Sequence, residues 1–356
     1  MILKNIIRIS FLFLISFLFL SLSQFVSAQD SIQSQTLSVD TRVKQLEKAV
    51  NILPKISGFL DLRYQYSTSA ANYSTGQNGF DVRRARLDFK GNATKELSYR
   101  IQLELAGTPK ILDAYVEWKP SKYIGLQAGQ FKTAYTLENP YSPASLETSD
   151  NSQVISKLIT DYSNNGRDIG LALNGNFFQK KGYNLIEYKV GLLNGNNINT
   201  TDNNKTKDVF GILLIHPLKS LTFDASSYTG KYGVETAKYD RNRTSFGAKY
   251  DDDKLLVRAE YIEGEIGTTQ ANLKNADGYY VSAAYFITDK LQPVLKYDFY
   301  QNDKTSANSE ITNYVVGLNY WITPKTRLQA NYTRSDFKDS SKTDTNYLVA
   351  QLLLSF

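Results

Sequence analysis

Six basic residues carry most of the chemistry this sequence offers: Arg63, Arg84, Arg86, Arg100, Lys132 and Arg167. Arg84 and Arg86 lie two apart, the spacing that puts side chains on one face of a β-strand. Arg63 and Arg100 take the matching parity on the strands expected before and after. Four guanidinium groups on three consecutive strands would make one basic wall, and a guanidinium presents forked donors suited to an oxyanion. Asp61, Asp88 and Glu104 share that parity. The wall can therefore also be read as ion-paired and structural. Other chemistries are poorly supplied. The chain has no Cys, which excludes a disulfide framework, an iron–sulfur cluster and a thiolate metal site. Its single His, His216, precedes Pro217 where a turn is expected and reads as a turn or interface residue. No phosphate-cradling Gly loop or zinc spacing occurs, and no carboxylate pair stands out as catalytic. Neither an enzyme nor a cofactor is expected.

The elements that must position these groups are strands. From residue 56 onward polar and apolar residues alternate with period two. Sixteen strands are predicted, at 56–66, 80–90, 97–106, 111–118, 124–130, 169–177, 183–193, 209–216, 221–228, 244–250, 255–263, 279–287, 291–300, 312–321, 327–334 and 346–356. Most approach the length that a tilted membrane-spanning strand needs. Connections alternate between short turns, such as GNATKE, KPSKY and DDDK, and long polar loops. That alternation, with an even strand count, is the pattern of an antiparallel transmembrane β-barrel. In 97–106, Leu97, Tyr99, Ile101, Leu103 and Leu105 alternate with Ser98, Arg100, Gln102 and Glu104. The first set would face lipid and the second a lumen, and a slip of one residue would invert both faces. Seven of the eight even-numbered strands end in or beside a lipid-facing aromatic: Phe89, Trp118, Phe177, Tyr250, Tyr285, Tyr320 and Phe356. Such a girdle belongs at a membrane interface. Few aromatics, namely Phe59, Tyr115 and Phe131, are expected in the lumen. The long strandless stretch 131–168 is expected to fold inward and narrow the pore. Lys132, Lys157 and Arg167 lie in it with Glu138, Glu147, Asp150 and Asp161. Its acids could oppose the basic wall across the passage, or its lysines could make an anion site.

The N-terminus reads separately. Lys4 and Arg8 precede an apolar run from Phe11 to Leu22, and Val26-Ser27-Ala28 ends it as a small-residue cleavage site. Residues 1–28 are thus a signal peptide. In 29–55, Val39, Val43, Leu46, Val50 and Leu53 follow a heptad spacing that ends at Pro54. That segment is either a short periplasmic coiled coil, helping three barrels associate, or a lone amphipathic helix or linker. Residues 56–356 form the barrel domain. The sequence holds 41 Lys and Arg against 35 Asp and Glu. Without Lys4 and Arg8 the balance is 39 to 35, about +4, with no basic run, so nucleic acid is not an expected partner.

Four stretches then carry a resemblance: FDVRRARLDFKG (80–91), AYVEWKP (114–120), LQAGQFKTAY (126–135) and GRDIGLALNG (166–175). In order and spacing they resemble the phosphate-selective porins O and P. The chain departs from that pattern at 131–136, FKTAYT, where the family generally has FKTPFG. The resemblance implies a sixteen-stranded, homotrimeric outer-membrane porin that passes small anions such as phosphate. Its surroundings would be lipid and lipopolysaccharide. The C-terminal Phe356, after Leu348, Leu352 and Leu354, resembles the signal read by the barrel assembly machinery. A general or oligosaccharide porin, or a barrel acting as a scaffold or adhesin, are the other readings.

Overall fold

The computed structural model describes residues 40–44, 53–68, 78–160 and 166–356. The chain divides into two units, Met1–Asn51 and Ile52–Phe356. Of the first, residues 40–44 are helical. The signal peptide and the heptad positions Val39, Leu46 and Val50 lie outside the described residues, as does Asp161. No helix among the described residues is long and apolar enough to cross a membrane.

The second unit is a closed barrel of sixteen antiparallel strands. They are β1 (Lys55–Ser67), β2 (Asn78–Asn92), β3 (Leu97–Glu104), β4 (Lys110–Ser121), β5 (Ile124–Lys132), β6 (Arg167–Lys180), β7 (Tyr183–Leu193) and β8 (Asp208–Leu218). The circuit continues through β9 (Leu221–Thr229), β10 (Arg243–Asp251), β11 (Leu255–Ile266), β12 (Lys274–Tyr285), β13 (Leu291–Gln301), β14 (Glu310–Thr323), β15 (Thr326–Phe337) and β16 (Thr345–Ser355). Each strand pairs with its neighbours in sequence, and β1 closes on β16 from Phe59↔Ser355 to Ser67↔Tyr347. Closure leaves no strand edge unpaired, which a lipid environment requires. The last residue is part of the seam: Gly58 N donates to Phe356 O at 3.1 Å and Phe356 N to Gly58 O at 3.0 Å. A Cβ on Gly58 would stand 2.2 Å from Arg86 O and 2.7 Å from the Phe356 ring, so only glycine admits this closure.

Period-two alternation decides what each face meets. On β9, Thr222, Asp224, Ser226 and Tyr228 are buried toward the lumen while Phe223 is exposed outward. Trp118, Phe177, Tyr285, Tyr320 and Phe356 are exposed on the outer face near the short-turn end. One long-loop connection carries a small ribbon, Lys231–Tyr232 paired with Tyr239–Asp240.

His216 ends the stretch expected as a strand at 209–216; β8 runs two residues further, through the Pro217 expected in a turn, and His216 Nδ1 sits 3.0 Å from Thr222 Oγ1 on the lumenal side. One expectation needs correction: the lumen is far more aromatic than expected. Tyr135, Phe210, Tyr228, Tyr280 and Tyr300 are buried inside with Phe131. On these strands aromatics occupy both parities, so the interior set was hidden by the lipid-facing one: Tyr300 faces inward from β13 while Tyr297 faces out.

Candidate functional site

The segment between β5 and β6 decides the interior. Its neck is tied by Thr133, whose N and Oγ1 both donate to Gly166 O at 2.8 Å. From there it meets lumenal side chains around the far wall. Glu260 of β11 accepts from Leu137 N at 2.5 Å and Glu138 N at 3.0 Å. Arg327 and Gln329 of β15 donate to Leu146 O and Glu147 O at 2.8 Å each, and Asn319 of β14 to Glu147 O at 2.9 Å. Gln153 N donates to Asp298 of β13 at 2.9 Å. Buried backbone groups of the segment are thus satisfied by wall side chains, as buried polar groups must be. At the centre Arg258, 1% exposed, lies 2.7 Å from Glu147 and 3.6 Å from Glu138. Val154, Ile155, Leu158 and Ile159 then pack on Ile262, Ala276, Tyr280 and Tyr300 as an apolar cluster within the barrel.

The wall from β1 to β6 holds the predicted basic residues. Every arginine there meets an acid. Arg63 donates to Asp81 from Nε at 3.0 Å. Arg84 donates to Asp61 at 2.7 Å, and Arg86 to Glu104 at 2.7 Å. Arg100 binds Asp88 through two donors at 2.9 and 2.8 Å and reaches Asp113 at 3.2 Å. Arg167 donates to Asp113 at 2.8 Å and to Gln102 at 3.1 Å. Lys132 instead donates to a neutral acceptor, Tyr141 O, at 3.0 Å.

Four of the six predicted residues, Arg86, Arg100, Lys132 and Arg167, line one cavity of 360 Å³ near the short-turn end. Lys90 joins them, and Asp88 is the only side-chain carboxylate in the lining, which also includes the terminal residue Phe356. One donor of Arg167, Nη1, is buried without a partner among the described residues. Arg63 and Arg84 lie on the same wall but not in this cavity; they continue the basic track toward the long-loop end. Along β2 the lumenal positions 84, 86, 88 and 90 advance about 6.7 Å per pair of residues. Arg84, Arg86 and Lys90 therefore follow one another down the strand, beside Asp61, Glu104 and Asp88 respectively.

Sequence reasoning missed Arg83. A bulge sets Asp61 opposite Arg84 and Leu62 opposite Val82, so Arg83 has no partner across the ladder. The extra residue turns both adjacent arginines inward. Arg83 binds Ser149 O at 2.8 Å and the Asp150 carboxylate, joining the wall to the crossing segment. Burial opposes the charge on Asp150, but Arg83, the Ser149 hydroxyl, Arg84 and Arg63 outweigh it and hold the carboxyl at about 2. The signal was present: with Arg84 and Arg86 inward, strict alternation would send Phe80 and Val82 inward and the charged Asp81 and Arg83 to lipid. Phe80 is 87% exposed, as only a bulge allows.

Comparisons with known proteins agree with this architecture. The family described as phosphate-selective porin O and P matches residues 60–251 and 234–356. Among solved structures, the chain is similar to an anion-selective porin from Comamonas acidovorans at 14% identity. That match has a TM-score of 0.67 and covers 85% of this chain and 99% of that one. It is similar to the outer membrane channel DcaP of Acinetobacter baumannii at 13% identity and TM-score 0.60, covering 85% and 97%. It is likewise similar to in-vitro folded OmpT of Vibrio cholerae in a trimer form, at 14% identity and TM-score 0.61, covering 85% and 99%. No curated protein matches the chain.

Proposed function

Since the chain belongs to the phosphate-selective porin O and P family and is an outer-membrane porin, we propose that it passes small anions, phosphate among them, by passive diffusion. The observation that carries this reading is the 360 Å³ cavity, where five basic side chains meet three side-chain carboxylates, Asp88 in the lining and Glu104 and Asp113 paired to its arginines. An anion entering it finds forked donors and a local excess of positive charge. The segment 131–168 narrows the passage beside this basic wall. The anion-selective porin of similar fold supports the same sign of selectivity, and the trimer form of OmpT supports a homotrimer. Residues 1–28 serve export, 29–55 lie in the periplasm and 56–356 form the channel. Assembly machinery, outer-membrane lipid and lipopolysaccharide are its surroundings.

A general or oligosaccharide porin without phosphate selectivity is favoured by one observation: each arginine of the wall is already paired with an acid. The reversal potential of the purified protein in a planar bilayer under a KCl gradient separates the readings. A chloride-favouring potential with block by phosphate supports the phosphate porin. A chloride-favouring potential without block leaves an anion porin with no phosphate site. A cation-favouring or near-zero potential leaves the general porin.

A further inference from the structure

A second lumenal cavity, of 540 Å³, lies beside the arginine cavity, and the two linings share only Pro140 and Tyr141. Tyr141 is held from both sides. Its carbonyl accepts from Lys132 of β5, and its hydroxyl accepts from Lys249 of β10 at 3.1 Å, while the Arg258 guanidinium lies 4.8 Å from its ring. The side chain stands as a partition between chambers of different chemistry.

In the arginine cavity Asp88 is taken up by Arg100 and Lys90. The second chamber is lined by Lys119 and by Lys249, which pairs with Asp251, and by three further charged groups. Glu117, Glu187 and Lys189 line it, and none of the three belongs to an ion pair among the described residues. They are held by amides instead: Asn174 donates to Glu117 at 3.0 Å, Asn184 to Glu187 at 3.1 Å, and Lys189 to Gln127 at 2.5 Å. Each keeps unused hydrogen-bonding capacity, since a carboxylate accepts several bonds and an ammonium donates three. Between the charges lies an apolar strip. Ile212 and Leu214 of β8 face the lumen there, with Leu137 of the crossing segment. A water-filled passage for inorganic ions has no use for such a strip. A sugar would want an open aromatic face, but Tyr115 stands edge-on to Phe131 at 6.4 Å and the Tyr141 ring is covered by Arg258.

We propose that this chamber binds a small zwitterionic solute with an apolar side chain, of the class of a free amino acid or dipeptide. The carboxylate would meet Lys189, the ammonium Glu117 or Glu187, and the side chain Ile212 and Leu214. Its volume falls within the range of small-ligand sites. The inference goes beyond the anion reading but rests on the barrel being an open pore.

The test is current block in planar bilayers by alanyl-leucine, set against its N-acetylated, C-amidated form, with the reversal potential recorded on the same membranes. The free dipeptide should half-block at a concentration about fivefold lower, the scale of one solvent-accessible ion pair. E187Q and K189Q should each bring the two half-block concentrations together, and either variant alone suffices if the other fails to fold. Equal block of the wild type by both peptides, or a preference that survives both substitutions, overturns the proposal and leaves the anion reading standing. A protein that inserts and carries no current overturns both. A cation-favouring potential beside selective block overturns the anion reading alone.

Discussion

Replacing Arg258 by Met should release the crossing segment. Arg258 is 1% exposed, and its guanidinium is shared between Glu147 at 2.7 Å and Glu138 at 3.6 Å, which are 5% and 2% exposed. Met fills similar space but leaves two buried carboxylates without a cation. Breaking a buried pair from one side costs about 3–5 kcal/mol. That is two to nearly four powers of ten in the docked-to-undocked ratio at about 1.4 kcal/mol per tenfold. The anchors that remain are the Arg83–Asp150 pair near one end, the bonds to Glu260, Arg327 and Asp298, and neutral hydrogen bonds such as Asn319 and Gln329 to Glu147 O, the neutral ones contributing about 1 kcal/mol each. The barrel ladder is untouched. R258M should therefore insert as a barrel but show higher unitary conductance and more open-channel noise. The triple variant R258M/E138Q/E147Q, which buries no unpaired charge, should restore a quiet, wild-type conductance. Single-channel recording, with the heat needed to unfold the barrel on a gel as the folding control, reads both. R258M with wild-type conductance, noise and unfolding temperature would refute the idea that this ion cluster fastens a segment narrowing the pore.

Three further outcomes follow from the same geometry. Along the basic track eight cations (Arg63, Arg83, Arg84, Arg86, Lys90, Arg100, Lys132, Arg167) face six carboxylates (Asp61, Asp81, Asp88, Glu104, Asp113, Asp150), an excess of two, and Lys132 is the one cation whose bond goes to a neutral acceptor alone. K132Q should lower the chloride-to-potassium preference about fivefold, taking about 1 kcal/mol for a charge 4 Å from the ion in water; an unchanged reversal potential would count against the excess-charge argument. Asp150 is held at about 2, below the ordinary carboxyl value, so its bond to Arg83 is complete above the ordinary value and is lost only as pH falls through about 2. Its contribution to selectivity should be flat from pH 7 to pH 4, and D150N should raise anion preference by freeing Arg83; a step in that range which D150N abolishes would contradict this. Gly129 has φ +125°, and a Cβ there would stand 2.3 Å from Ala114 O. G129V should cost about 1–3 kcal/mol or more and lower the yield of folded, heat-modifiable barrel, whereas a normal yield would show that the β4–β5 pair can shift.

What the sequence determined was the barrel. Alternation along sixteen stretches, short turns against long loops, and aromatics at strand ends are local patterns, and each strand pairs with its chain neighbour, so topology follows from order. Strand parity likewise put Arg84, Arg86 and Arg100 on the inner face with Asp61, Asp88 and Glu104. Only the tertiary structure decided how those charges meet, because pairing across strands depends on register and on the bulge at Arg83. A motif with arginines at both parities held that clue, yet strict period-two reading has no place for an extra residue. Of the segment after β5 only an inward turn was expected, and the wall groups it meets were not legible. It lacks periodicity, and its hydrogen-bond partners, from Glu260 to Asn331, lie far along the chain and come near only when the barrel closes. The same closure brings Tyr141 between Lys132 and Lys249 and so makes two chambers of one lumen. A strand's faces are properties of neighbouring residues; the interior of a barrel belongs to all the strands at once.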